Sequence, residues 1–167
     1  MTQAPADHER ARSAAVGFIL RSTKARPQTT AELRGELEAR EHPADVIDDA
    51  IARATAIGAI DDAAFARAWV ADRGLVRGYS ASRLRRELRR RRVPDPLIDD
   101  ALTQLDERDE LAVATDLARH RAQRMPATLE PEAVARRLLG FLARRGYPEG
   151  LARRVAIDVS GLDRHWD

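Results

Sequence analysis

Slid along itself by 51 residues, the chain matches itself without a gap. Leu33 falls on Leu84, Arg34 on Arg85, Glu36 on Glu87, Leu37 on Leu88 and Arg40 on Arg91. Pro43 falls on Pro94, Ile47-Asp48-Asp49-Ala50 on Ile98-Asp99-Asp100-Ala101, and, upstream, Phe18 on Trp69. Apolar, charged and turn positions agree in one register, which composition alone does not produce. A period of about 50 residues is the signature of a helical repeat array. A third copy follows at a shift of 54, with Leu138 on Leu84, Leu142 on Leu88, Pro148 on Pro94, Leu151 on Leu97 and Val155 on Ala101.

Each copy carries its own punctuation. In the central one, residues 61–102, Asp61 caps a helix that sets Phe65 and Trp69 on one face. Gly74 and Gly78 break it. Ser80 caps a second helix, from about Ala81 to Arg92, whose inner face carries Leu84 and Leu88. Pro94 stops that helix and suits the first turn of a third, with Leu97, Ile98, Ala101 and Leu102. In the first copy a frayed tail over residues 1–7 leads to a helix from about His8 to Thr23 bearing Val16, Ile19 and Leu20. Thr29 and Glu32 form a capping box ahead of Leu33 and Leu37. Pro43 opens a helix through Val46, Ile47, Ala50 and Ile51 that ends at Gly58. The third copy predicts helices over Glu107–Arg124, Glu130–Arg145, and from Pro148 to just before Gly161. Helix formers abound and β-branched residues are few. The fold expected is all-α: three tandem three-helix repeats, at 8–60, 61–105 and 106–160, stacked into a curved, elongated array in which neighbours stabilise one another.

The central copy also concentrates charge. From Arg73 to Arg92 there are nine Arg and one acid, Glu87, so the segment carries about +8 while the whole chain carries +2. Arg over Lys is no functional clue here, since Lys24 is the single lysine of the chain. On a helix over 81–92, Arg85, Arg89 and Arg92 form a stripe, Arg83, Arg86 and Arg90 cover its flank, and Arg91 lies beside the apolar seam. A solvated helix face explains most charge runs. Here, like charges at i, i+4 cost stability and only Glu87 is at hand to offset them, which favours a binding surface. DNA phosphate and an acidic protein surface both fit the charge. Base-specific reading fits less well, because the helix lacks the Asn and Gln that read base edges. Phe18, Phe65, Trp69 and Phe141 read as core, and Tyr79 and Tyr147, at turns, as either turn packing or contact platforms. Trp166 either docks on the last repeat or is an exposed contact. The candidate contact residues are Arg73, Arg77, Tyr79, Arg83, Arg85, Arg86, Arg89, Arg90, Arg92, Arg144, Arg145 and Tyr147.

Catalysis finds no constellation. The four His (8, 42, 120 and 165) are scattered, and no glycine-rich phosphate loop or nucleophile elbow occurs. Of the acidic pairs, Asp48-Asp49 and Asp99-Asp100 point about 100° apart on their helices, and Asp61-Asp62 suits a helix start. No enzyme activity, metal or cofactor is expected. There is no Cys for a disulfide or thiolate. No run approaches a membrane span and the N-terminus lacks a signal-peptide pattern, so a cytoplasmic protein is the expectation.

The central residues resemble the RecX family, regulators of the RecA recombinase. The likeness rests on Ile60-Asp61-Asp62-Ala63-Ala64-Phe65-Ala66-Arg67-Ala68-Trp69-Val70, then Arg77-Gly78-Tyr79-Ser80, Leu84-Arg85-Arg86-Glu87-Leu88, Val93-Pro94 and Leu97-Ile98-Asp99-Asp100-Ala101-Leu102. Ala31-Glu32-Leu33 with Leu37 looks like that family's first repeat, and Phe141-Leu142-Ala143-Arg144-Arg145-Gly146-Tyr147 like its third. The loop Lys24–Gln28 departs from the pattern, so no contact is assigned there. The resemblance implies tandem three-helix repeats. It implies a non-enzymatic partner of the RecA filament on DNA that lowers ATP turnover, strand exchange and co-protease activity. Direct, non-specific DNA binding through the Arg-rich helix is the alternative.

Overall fold

The computed structural model describes residues 3–162, so the expectation for Trp166 lies outside the described residues. Among the described residues the protein is all-α. The helices are α1 (Gln3–Ala25), α2 (Thr30–Glu38), α3 (Ala44–Ala56), α4 (Asp62–Val70), α5 (Ala81–Arg90), α6 (Asp95–Leu102), α7 (Glu110–Ala122), α8 (Pro131–Arg144) and α9 (Glu149–Ser160). A π-helical turn, Ala71–Val76, continues α4, and a short 3-10 turn, Thr103–Leu105, continues α6.

The turn between the second and third helices of each copy is built the same way three times. The amide of His42 donates to the Leu37 carbonyl at 3.3 Å, that of Val93 to Leu88 at 3.1 Å, and that of Tyr147 to Leu142 at 3.3 Å. One residue earlier, the amides of Glu41, Arg92 and Gly146 each donate to the carbonyl three residues back at 2.9 Å. Those three residues are left-handed, with φ of 60°, 57° and 86°. This pair of bonds is the Schellman motif that satisfies the last carbonyls of a helix. Pro43, Pro94 and Pro148 follow, each just ahead of the next helix.

The helix starts also repeat. Thr29 accepts from the Glu32 amide at 3.2 Å and Glu32 returns the bond to the Thr29 amide at 3.1 Å, completing the capping box. At the equivalent place Ser80 accepts from the Arg83 amide at 3.2 Å. Each capping hydroxyl also donates onward to the Schellman turn of the following copy. Thr29 donates to the Arg91 carbonyl at 2.9 Å and Ser80 to the Gly146 carbonyl at 2.7 Å.

Two compact units result. The first runs to Ala68 and takes in Leu88–Ala101; the second comprises Trp69–Glu87 and the chain from Leu102 onward. In the first, Ala15 and Ile19 of α1, Leu33 and Leu37 of α2 and Val46, Ile47 and Ala50 of α3 are buried together. In the second, Ala114 and Ala118 of α7 let α8 and α9 approach closely, and Leu138, Leu142, Tyr147, Ala152 and Val155 fill the space. Each large side chain so buried contributes roughly 1.5–3 kcal/mol.

Three local expectations need correction. Helix α1 begins at Gln3, within the segment expected to be frayed. Gly74 does not break α4. The helix widens into the π turn, and Gly74 is buried where a methyl group would meet the Leu84 and Leu105 side chains at 3.0 and 3.1 Å. The stop comes at Gly78, φ 67°. Finally, α5 ends at Arg90 rather than Arg92, because the Schellman turn takes Arg92 out of the helix.

Candidate functional site

Most of the nine central arginines have structural work, and the partners come from several elements. In the second unit Glu87 of α5 is buried. Its carboxylate accepts from the Trp69 indole at 3.0 Å and from Arg83 Nε at 2.8 Å, with Arg73 Nη1 at 3.6 Å. Arg73 lies over the Trp69 ring at 3.6 Å and Arg83 over the Tyr79 ring at 3.9 Å. Arg83 also donates to the Arg144 carbonyl. Arg77 is exposed and paired with Asp72 at 3.0 Å. In the first unit Arg89 forks onto Asp95 at 2.7 and 3.2 Å, a hydrogen bond and charge that push its pKa up. Arg91 reaches Glu32 at 2.7 Å.

The premise that only Glu87 could offset these cations is therefore corrected: Asp72, Asp95 and Glu32 also do so. The stripe of Arg85, Arg89 and Arg92 is also corrected. Arg92 leaves the helical register and Arg89 is occupied by Asp95. Arg85 is half-buried. The candidate cations left exposed without a carboxylate within 4 Å, among the described residues, are Arg86, Arg90, Arg92 and Arg144. Arg86 touches the Ser82 hydroxyl at 3.0 Å and edges an open cleft of about 600 Å³ whose floor includes Leu139, Ala143 and Pro148.

The two candidate tyrosines differ. Tyr147 is 4% exposed, and its hydroxyl donates to the Gly78 carbonyl at 2.9 Å, so it lies beneath the surface instead of forming a platform on it. Burial pushes its phenol above the ordinary value of 10.0. Tyr79 is half-buried under Arg83. Arg145 is half-buried and lies over Phe141 at 3.8 Å; burial lowers its pKa from the ordinary value.

One structural support escaped the sequence. Arg108 donates to the carbonyls of Gly74 and Tyr79 at 2.8 and 3.0 Å, which fixes the π turn and the start of α5. Nothing in its local sequence marks it. Glu87 was visible as the lone acid in a basic run and as the repeat of Glu36, which is bonded by Gln28 at 2.7 Å. Among the described residues no group of three or more His, Cys, Asp or Glu is placed to hold a metal ion. None of the described helices is long and apolar enough to cross a membrane.

Residues 61–102 match the family model described as RecX, second three-helix domain. The regulatory protein RecX of Mycobacterium ulcerans (strain Agy99) is 40% identical over 163 residues, covering 98% of this chain and 92% of the relative. That of Streptomyces lividans is 40% identical over 151 residues, 87% of this chain and 79% of the relative. The fold is similar to the crystal structure of RecX from Lactobacillus salivarius, with TM-score 0.68 and 15% identity over 90% of this chain and 97% of that one. It is also similar to another crystal structure of regulatory protein RecX, with TM-score 0.67 and 19% identity over 91% and 74%.

Proposed function

This chain belongs to the RecX family of regulatory proteins, and from that premise we propose that it binds the RecA filament on DNA and inhibits it, lowering ATP hydrolysis, strand exchange and co-protease activity. It acts by binding and not as an enzyme, and it works in the cytoplasm. What most supports the reading is the pair Arg86 and Arg90, one turn apart on α5, exposed and with no carboxylate within 4 Å among the described residues, followed by Arg92 in the turn. The like-charge pair costs helix stability, which the dipole at the end of α5 offsets in part at Arg90, and an anionic partner relieves the rest. Acidic protein surface and DNA phosphate are both available on a filament. Arg86 adds a cleft in which a partner side chain can lodge.

The test is ATP hydrolysis by a preformed RecA filament on single-stranded DNA, titrated with the full chain and with the triple reversal Arg86→Glu, Arg90→Glu, Arg92→Glu. Glu is tolerated in the conformation of Arg92, since Glu41 adopts it in the first copy. Circular dichroism checks that both proteins are folded. The intact chain lowers turnover and the reversal loses most of that effect. No inhibition by the intact chain would sink the proposal; full inhibition by the reversal would move the contact elsewhere. In the alternative, direct DNA binding through α5, the intact chain binds bare DNA tightly and that binding falls steeply with salt.

A further inference from the structure

A second cationic cleft in the second unit shares no lining residue with the one beside Arg86. The end of α7 and the C-terminal half of α8 enclose an open cleft of about 450 Å³, lined by Leu117, His120, Arg121, Arg124, Phe141 and Arg145. Arg145 lies across the Phe141 ring at 3.8 Å, and Arg121 approaches the same ring at 5.9 Å. Among the described residues, no carboxylate lies within 4 Å of Arg121, Arg124 or Arg145. Arg145 Nε is buried and has no hydrogen-bond acceptor there.

A structural role accounts for part of this set. His120 and Arg121 lie in the last turn of α7, where a positive charge complements the helix dipole. Arg124 lies beyond that helix, in the following turn, and Arg145 comes from the end of α8. The dipoles of α7 and α8 favour a cation at both places, but they do not account for the convergence of both on one cleft. A buried donor without an acceptor costs free energy, and three guanidinium groups facing one cleft repel one another. The repulsion is relieved when an anion with several acceptor oxygens enters. Guanidinium forks match phosphate in this way, while a single carboxylate offers only two oxygens. The Phe141 face is already covered by Arg145, so the ring orients the guanidinium and leaves its edge free to donate.

We propose that this cleft binds phosphate esters, those of a free nucleotide or of a nucleic-acid strand, clamped by Arg121, Arg124 and Arg145. Burial is the main cause that draws the Arg145 pKa down; Tyr79 and Tyr147 act against it, and the like charges of Arg83 and Arg144 add to it. An incoming phosphate reverses that.

The experiment uses the full chain and three probes: fluorescein-labelled oligothymidylate, a fluorescent nucleoside triphosphate, and an oligoglutamate peptide of the same charge as the oligonucleotide. The double variant Arg121→Gln, Arg124→Gln removes two exposed guanidinium groups that hold no carboxylate, so the fold is retained. Arg145→Lys keeps the charge and removes the fork. The intact chain binds at least one phosphate probe, and each variant weakens that binding about tenfold or more. For the oligonucleotide the salt slope of the double variant falls by about two phosphate contacts. Binding of the triphosphate as tight as that of the strand identifies a free nucleotide as the source; binding of the strand alone identifies nucleic acid. Failure of both phosphate probes, undiminished binding by the double variant, or equal binding of oligoglutamate would each overturn the proposal.

Discussion

Two Arg-Gly-Tyr triplets, 77–79 and 145–147, meet inside the second unit, and the glycine of the second does more work there than a left-handed glycine in open space. The Tyr147 hydroxyl of one triplet bonds the Gly78 carbonyl of the other, 69 residues away. The Arg145 carbonyl accepts from the Ser80 amide at 3.0 Å. Gly146 is left-handed, and a methyl group there would lie 2.4 Å from Arg83 Cβ and 2.6 Å from Ser80 Oγ. Gly58 is also left-handed, at φ 72°, but faces open space. Gly58→Ala therefore costs only backbone strain, about 1 kcal/mol. Gly146→Ala adds a clash with the start of α5 and costs about 3 kcal/mol or more. Urea unfolding of the two variants checks this; equal costs would mean that α5 moves aside freely. Both glycines were legible in the sequence as helix ends. The burial of Tyr147 was not, because it depends on a carbonyl from a distant turn. Arg73, Arg83 and Arg89 looked like surface charge although Trp69, Tyr79 and Asp95 lie within six residues of them, because the break expected at Gly74 and the helix drawn on to Arg92 hid those pairings; only Arg91 has a partner, Glu32, that the fold alone names.

At the scale of the element, α5 joins two opposite demands. Its inner side must keep Glu87 out of water, and its outer side is almost wholly cationic. The carboxylate is acceptable inside because Trp69, Arg73 and Arg83 converge on it. Removing its charge strands two guanidinium groups, each about a quarter exposed. Glu87→Gln is thus expected to destabilise the protein by about 2–4 kcal/mol, toward the lower end because solvent still reaches both arginines. Trp69 emission would report the loss of its indole bond. A change under about 0.5 kcal/mol would show that the network contributes specificity and little stability. The start of α5 was legible, since Ser80 is a strong cap. Its end was not. Left-handed turn residues are expected to be glycine, and Arg92 hides one; the clue lay in the third copy, where Gly146 aligns with Arg92.

Across the whole molecule, the repeat was legible because its turns are fixed by residue type: a proline before the third helix recurs in all three copies, and a hydroxyl before the second helix in the first two. The π turn was not, since it is held by Arg108 from outside the segment. Global behaviour at high pH offers an unusually clear test of this packing. The chain has no Cys, a single Lys and two Tyr, so few side chains titrate between about pH 9 and 11. Burial raises the Tyr147 phenol above its ordinary 10.0 in the folded protein. The folded state then holds this proton more tightly than the unfolded state. Its contribution to stability is complete below the unfolded value and is lost as pH rises from there through the folded value. Stability of the intact protein should fall across this range by up to about 1.4 kcal/mol per pH unit for the one proton. Tyr147→Phe removes that slope. It also lowers stability at neutral pH by about 1–2 kcal/mol, because the Gly78 carbonyl loses its donor. Tyr79 and Lys24 are present in both proteins, so their titrations cancel in the difference between two urea-unfolding series at pH 8 to 11. Convergence of the two curves as pH rises is the expected result. Curves that stay parallel would mean that Tyr147 ionises as freely in the folded protein as in the unfolded chain, and that the second unit is not closed over it.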